Sequence, residues 1–489
     1  MPQAKFLTVS AAAAVALTAC ATTAQTSRNN TQITQAEARQ GAEAHPQLLA
    51  EFGGAMTGPQ AQYVEQVGKR IAVQSGLSNA QSAFTVSLLN SPVNNAFAIP
   101  GGYVYTTRQL VALMNNEAEL AGVLGHEVGH VAARHSQRRQ AAAQRNSILG
   151  GLGAILSGVL LGNSGIGQQI GQGLLQGSQL LTLRFSRNQE IEADRLGIQY
   201  LSRASYDPRA MSTVLTSLAA QNQLDAQLQG RRDATIPAWA STHPDPASRV
   251  RGAAQFAQGK AGTATNRDTF LTRIDGLRYG DDPAQGVIEG QQFIHPDLRL
   301  AFTAPQGYTM INSTRAVGVQ GQGGQAQFSF AQYNGNLESY VRSVFAALGG
   351  DRQQLAPSTL QRQTVNGLSA MVGTARVNSG NQQVDVVVFA YEFARDRAYH
   401  FTAITPAGRS GVFAPMFESV RRISAQDAAA IVPRQIDVVT VRASDTVQSL
   451  SRRMAYDSGQ EARFRVLNGL TSSQQVQAGQ KVKIVVRSR

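Results

Sequence analysis

The chain holds 489 residues at 52.1 kDa, 42% of them hydrophobic and 15% charged, which is too long for one core, favours about two to four domains and excludes wholesale disorder. One cysteine excludes an intrachain disulfide framework and any all-cysteine metal site. The net charge of +13 is nearly all arginine, scattered rather than interleaved with aromatics, so no nucleic-acid partner is expected and attraction to anionic envelope surfaces fits as well.

Lys5 precedes Phe6 to Ala19, an uncharged, alanine-rich run of 14 residues. That is too short for a stable bilayer span and suits the core of a signal peptide over residues 1–19. The run ends Leu17-Thr18-Ala19-Cys20, which resembles a bacterial lipobox, and the chain's single cysteine falls there. The resemblance implies an acylated Cys20, a lipidated tether over residues 20–34, and anchoring without a span. Ala21, standing where an aspartate would retain a lipoprotein elsewhere, implies the outer membrane facing the periplasm.

Val64, Val67 and Ile71 set a helical period within Pro59 to Ser75. Phe84 to Leu89 and Ala96 to Ile99 read as short strands, and Pro100-Gly101-Gly102 turns the chain into Tyr103 to Tyr105. Asn116 with Glu119 opens a helix to about Arg139. Ser147 to Leu183 has 37 residues, no charge and ten glycines. It leaves two readings open: glycine-spaced core helices or a loop, and a membrane-facing lid beside an active site. Further helices are expected from Gln189 to Arg203 and from Pro208. Gln255 to Asn266 reads as a linker. Residues 268–424 alternate like a separate α+β domain, with strands at Met371 to Val377, Val384 to Tyr391 and Tyr399 to Ile404. Ala425 to Arg434 reads as a second linker, before a small module at residues 436–486.

His126-Glu127-Val128-Gly129-His130 is an H-E-x-x-H motif within the Asn116 helix. Residues four apart share a helical face, so both imidazoles can reach one zinc ion, while Glu127 sits one position round to serve as general base. A catalytic zinc site wants a third ligand. Glu190 and Asp194 are again four apart on the next helix. Glu190 can ligate, and Asp194 can accept the outer N–H of a ligand histidine. The competing reading of Glu190, Glu192 and Asp194 is a solvated helix face. His243, in Thr242-His243-Pro244, reads as a solvated turn residue on composition alone.

Asn94-Asn95-Ala96-Phe97-Ala98, Gly101-Gly102, His126 to His130 with Arg134-His135, Ser186-Arg187 through Asp194, and His243-Pro244 follow one another in this order. In these the chain resembles the zinc metallopeptidase family that includes HtpX and the CAAX prenyl endopeptidases, and within it the periplasmic BepA-like branch, over residues 35–254. The resemblance implies His126, His130 and Glu190 as ligands of one zinc per chain, Glu127 as general base, and Asp194 behind them. It implies that Asn95, Ala96, Phe97 and Ala98 form a strand binding an extended peptide. It implies that His243 acts as a transition-state donor or as a fourth ligand that keeps the enzyme latent; His135 is expected to support the ligands or to be structural. No tetratricopeptide array of the BepA kind is visible. Instead Val439-Thr440-Val441, Asp445-Thr446, Leu450, Leu467-Asn468-Gly469-Leu470 and Gly479-Gln480-Lys481-Val482 resemble a LysM module, which implies peptidoglycan binding.

The fold expected is therefore multidomain: a mainly α-helical zincin-type metallopeptidase domain with a small β element, an α+β domain, and a LysM-like βααβ module. The function expected is a membrane-tethered zinc endopeptidase of the bacterial envelope, cleaving misfolded or misassembled envelope proteins by attack of a zinc-bound water. The alternatives are a largely latent, chaperone-like assembly factor and a peptidoglycan-binding lipoprotein.

Overall fold

The computed structural model describes residues 32–139, 185–228, 243, 246–349, 355–379 and 382–488. The leader, Cys20 and Ser147 to Leu183 lie outside the described residues. Among the described residues no helix is long and apolar enough to cross a membrane.

Helix α1 (Gln35–Glu51) opens on a capping box between Thr34 and Glu37. Helix α2 (Pro59–Ala72) starts on proline and buries Tyr63, Val64, Val67 and Ile71, as the period requires. Strands β1 (Thr85–Leu89), β2 (Ala96–Ile99) and β3 (Tyr103–Thr107) form a sheet in the order β1-β3-β2. β2 and β3 are the expected hairpin. β1 joins β3 in parallel, which leaves β2 at the sheet's edge. Gly101 and Gly102 turn the hairpin at φ of 90° and 82°. α1 crosses that turn at Gly41, where a Cβ would collide with the Pro100 carbonyl and the Tyr103 ring.

A short helix α3 (Arg108–Leu113) leads to α4 (Glu117–Ala132), which carries the motif. Asn116 caps α4, accepting from the Glu119 amide at 2.9 Å. Every residue from Glu117 to His130 is buried, so α4 is a core helix with no solvent face. Its expected length to Arg139 is cut short. The backbone turns at Ala133 and Arg134, with Arg134 at φ 51°, and helical backbone resumes at His135. The Arg134 guanidinium holds that turn, donating to Glu37 Oε1 at 3.1 Å and to the Gln32 carbonyl at 2.8 Å. Helices α5 (Arg187–Arg203), α6 (Ala210–Leu228) and α7 (Pro246–Ala257) close the bundle around α4.

The second body has two sheets. Strands β4 (Thr309–Asn312), β5 (Val317–Gly321), β6 (Gly324–Phe330), β7 (Thr359–Val365), β8 (Leu368–Ser379), β9 (Gln382–Ala394) and β10 (Arg397–Pro406) make a seven-stranded antiparallel sheet in the order β7-β8-β9-β10-β6-β5-β4. One face carries a helix (Leu337–Gly349), whose Val341 and Phe345 pack on Val386 and Val388. The other face meets a smaller sheet through Phe293, Phe302, Phe328, Phe389 and Phe401.

The chain then returns to the first body. A two-residue strand (Arg278–Tyr279) pairs with a strand over Arg434–Thr440, which in turn pairs with the last strand, Lys481–Arg487. Two short helices, Val447–Ser451 and Gln460–Leu467, lie between those last two strands, giving a βααβ order. This terminal module shares one continuous core with the helical body: Ile436, Val482 and Ile484 belong to the same cluster as Phe270, Ile274 and Leu124.

Candidate metal centre

α4 sets His126 and His130 one turn apart, with their Nε2 atoms 3.0 Å from each other. α5 brings Glu190 to them, Oε2 standing 3.4 Å from His126 Nε2 and Oε1 3.5 Å from His130 Nε2. His243, just ahead of α7, places Nδ1 3.3 Å from His126 Nε2 and 3.1 Å from both Glu190 oxygens. One donor atom from each of these four buried residues lies within 4.8 Å of all the others. Nitrogen ligands bound tetrahedrally at 2.0–2.1 Å from zinc stand about 3.3 Å apart, so this donor set and spacing fit the ion.

The residues behind the donors fix how they point. Asp194 Oδ1 lies 2.9 Å from His126 Nδ1, which turns Nε2 to the centre. Arg249, on α7, grips the same carboxylate in a fork, Nε to Oδ2 at 2.8 Å and Nη2 to Oδ1 at 2.5 Å. Its Nη1 reaches Glu190 Oε2 at 2.8 Å. Arg249 thus ties a candidate ligand to the group that orients another. His130 is served separately: its Nδ1 lies 2.8 Å from His135 Nδ1, and His135 Nε2 lies 3.2 Å from Glu192 Oε2. With His130 Nδ1 protonated, it donates to His135, which donates onward to Glu192. The turn at Arg134 is what swings His135 into that position. Phe185 stacks on the His130 ring with centroids 4.0 Å apart.

Glu127 is fully buried, and its two carboxylate oxygens accept no hydrogen bond among the described residues. His243 Nε2 stands 3.4 Å from its Oε1. Burial pushes the Glu127 carboxyl above the usual range, as a proton acceptor for this chemistry requires. Burial acts the same way on Glu190, but His243 and His126 outweigh it and hold Glu190 well below the usual range. Asp194 also stays low, because Arg249 outweighs its burial. Burial would lower His126, yet its hydrogen bonds to Asp194 and Glu190 hold it up at about 9. Burial pushes His130 well below the usual range, and the neighbouring His126 adds to this, so the Glu190 charge that acts the other way is outweighed.

Asn95, Ala96, Phe97 and Ala98 are all buried, the last three in edge strand β2. Ala98 and Ile99 share a small cleft with His130, Val131 and Arg134. The structure thus assembles His126, Glu127, His130, Glu190, Asp194 and His243 in one place. Arg249 was not legible beforehand. Its one sequence signal is indirect: two carboxylates buried side by side need a buried cation, and no spacing rule says which arginine supplies it. Glu192 points away from the donors and acts through His135.

Residues 59–256 match the profile of Peptidase family M48. Over 195 residues the chain is 36% identical to the Beta-barrel assembly-enhancing protease of Escherichia coli (strain K12), covering 39% of this chain and 38% of that protein. The protein of the same name from Yersinia pestis is 35% identical over 228 residues, covering 45% of this chain and 44% of its own length. The Mitochondrial metalloendopeptidase OMA1 of Schizosaccharomyces pombe is 33% identical over 219 residues, covering 44% and 59%. The chain therefore spans under half the length of these bacterial relatives.

Proposed function

We propose, from the Peptidase family M48 domain that this chain carries at residues 59–256, that the protein is a zinc-dependent endopeptidase. His126, His130 and Glu190 hold the ion and His243 is a displaceable fourth donor. The observation that carries this reading is the convergence of four buried donors beside the buried carboxylate of Glu127, which accepts no hydrogen bond among the described residues. When bound, zinc supplies Lewis acidity, which polarises a peptide carbonyl and acidifies a water. Glu127 then takes the proton of the attacking water and passes it to the departing amine nitrogen. Asp194 and Arg249 keep His126 and Glu190 in place while charge builds up, and the fully buried setting strengthens each of these contacts. His243 fills the position that a substrate carbonyl needs, so it must move before cleavage, and the enzyme rests latent.

The envelope assignment extends this reading. A signal-like leader with a lipobox-like Cys20, together with bacterial relatives named for enhancing β-barrel assembly, supports a periplasmic enzyme. It is anchored by acyl chains to the outer membrane and acts on misfolded or misassembled envelope proteins. The βααβ order of the terminal module supports the LysM-like reading and a peptidoglycan contact. A second reading, a largely latent chaperone-like assembly factor, is favoured by His243 lying in the donor set. The deciding experiment is elemental analysis of protein expressed from Ala21 onward, followed by a cleavage assay on the Glu127→Gln variant. About one zinc per chain and lost cleavage support the endopeptidase. Absence of zinc after supplementation moves the reading to the assembly factor.

A further inference from the structure

Lys483 is fully buried, although it stands on the chain's last strand, more than 350 residues beyond the motif helix. A buried ammonium needs partners, and this one has three backbone carbonyls. It donates to Ala112 O at 2.8 Å, to Leu113 O at 3.3 Å, and to Met114 O. These are the terminal carbonyls of α3, where a cation is favoured by the helix dipole and by the unsatisfied acceptors.

The connector from Met114 to Asn116, between α3 and α4, is held on its other sides as well. Glu119 Oε2 accepts the Asn115 amide at 2.8 Å, and Arg267 Nη1 donates to the Asn115 carbonyl at 2.7 Å. Arg267 Nη2 reaches back to the Lys481 carbonyl at 3.1 Å. The first amide of α4, that of Glu117, donates to the Thr265 carbonyl at 3.0 Å. The start of the motif helix is therefore built largely by residues from outside it, and the terminal module contributes through Lys483 and through the Lys481 carbonyl that steadies Arg267. Glu119, His126 and His130 lie seven and eleven residues apart, about two and three helical turns, so they share one face of α4. Glu119 sits about 10 Å from His126 along a rigid, fully buried helix.

We infer that Lys483 is a positioning residue for the metal centre: the terminal module clamps the start of the motif helix and so sets where His126 and His130 stand. The module is part of the catalytic unit, whatever else it binds. This rests on the zinc reading above only for its metal readout.

The test uses the chain from Ala21 onward with three substitutions. Lys483→Met removes the ammonium and keeps the bulk. Arg267→Gln loosens the same connector from the helical body's own side. Val441→Ala weakens the module core away from these hydrogen bonds. Zinc retention is measured by chelator competition, and amide hydrogen exchange is followed over residues 117–130. Lys483→Met and Arg267→Gln are expected to retain zinc about three- to thirtyfold less tightly and to speed exchange across α4. Val441→Ala is expected to lower Tm without either change. Wild-type zinc retention and exchange in Lys483→Met would overturn the clamp, and so would equal losses in Val441→Ala. If Lys483→Met does not fold, Arg267→Gln decides by the same two readouts. If the wild type holds no zinc, the zinc reading fails, and exchange over α4 still decides the clamp.

Discussion

Gly125 and Gly197 face each other where α4 and α5 cross. A Cβ on Gly197 would lie 3.0 Å from the His126 amide nitrogen and 3.2 Å from the Gly125 carbonyl carbon. This contact brings the Glu190 and Asp194 helix close enough to serve the two motif histidines. A single methyl there forces the helices apart. Gly197→Ala should cost about 1–3 kcal/mol of stability. It should also weaken zinc retention, because the spread acts directly on His126. A variant with wild-type Tm and zinc content would show that the crossing tolerates more room than this packing implies.

Glu127→Gln keeps the shape of the side chain and removes its proton affinity. It should retain zinc and lose cleavage by about 100-fold or more. Retained cleavage would remove Glu127 from the mechanism.

Arg249 binds Asp194 with two parallel hydrogen bonds and reaches Glu190 as well. Lysine carries the charge but cannot reproduce that fork. Arg249→Lys should therefore weaken zinc binding about 10- to 100-fold. Titrating metal-free protein with zinc measures this. Unchanged affinity would mean that Asp194 alone orients His126.

His243→Ala empties the fourth donor position and leaves three ligands. Basal cleavage of an unfolded substrate should rise while zinc content holds. A variant with the basal rate of the wild type would end the latency reading; lost activity with zinc retained would make His243 a transition-state donor instead.

The second body carries its own pH dependence. His400 is fully buried, with Nδ1 2.8 Å from the Tyr340 hydroxyl, and burial holds its imidazole down at about 4 against an ordinary 6.5. Its folded value lies below its unfolded value, so the unfolded chain takes up the proton first as pH falls. The stabilisation is complete above 6.5 and is lost between 6.5 and 4. The full span is worth on the order of 3 kcal/mol. Urea midpoints measured at pH 7.5 and pH 5 should separate less in His400→Gln than in the wild type. Equal separation would place the acid sensitivity elsewhere.

Much of this site was readable in advance, because it rests on helical periodicity. His126 with His130 and Glu190 with Asp194 are each four residues apart, and a helix turns that spacing directly into a shared face. The hairpin of β2 and β3 was equally plain from its glycines. The rest depends on contacts that no local pattern encodes. The parallel partner β1, the turn at Arg134, the fork from Arg249 and the burial of Lys483 all join segments distant along the chain. Lys483 sits in an alternating strand where a lysine would ordinarily face solvent.

One pairing bears on how this protein came to be assembled. Tyr279 and Arg434 are neighbours across a strand pair, as are Arg278 and Gln435. The polypeptide therefore leaves the helical body for the two-sheet body and comes back to the spot it left. Residues 280–433 are topologically a loop, however large, hung on a hairpin whose two ends already touch. Such an insertion can be acquired, exchanged or lost without rethreading its host. A tight turn joining Tyr279 to Arg434 would leave motif helix, metal donors and terminal strand in one uninterrupted chain path.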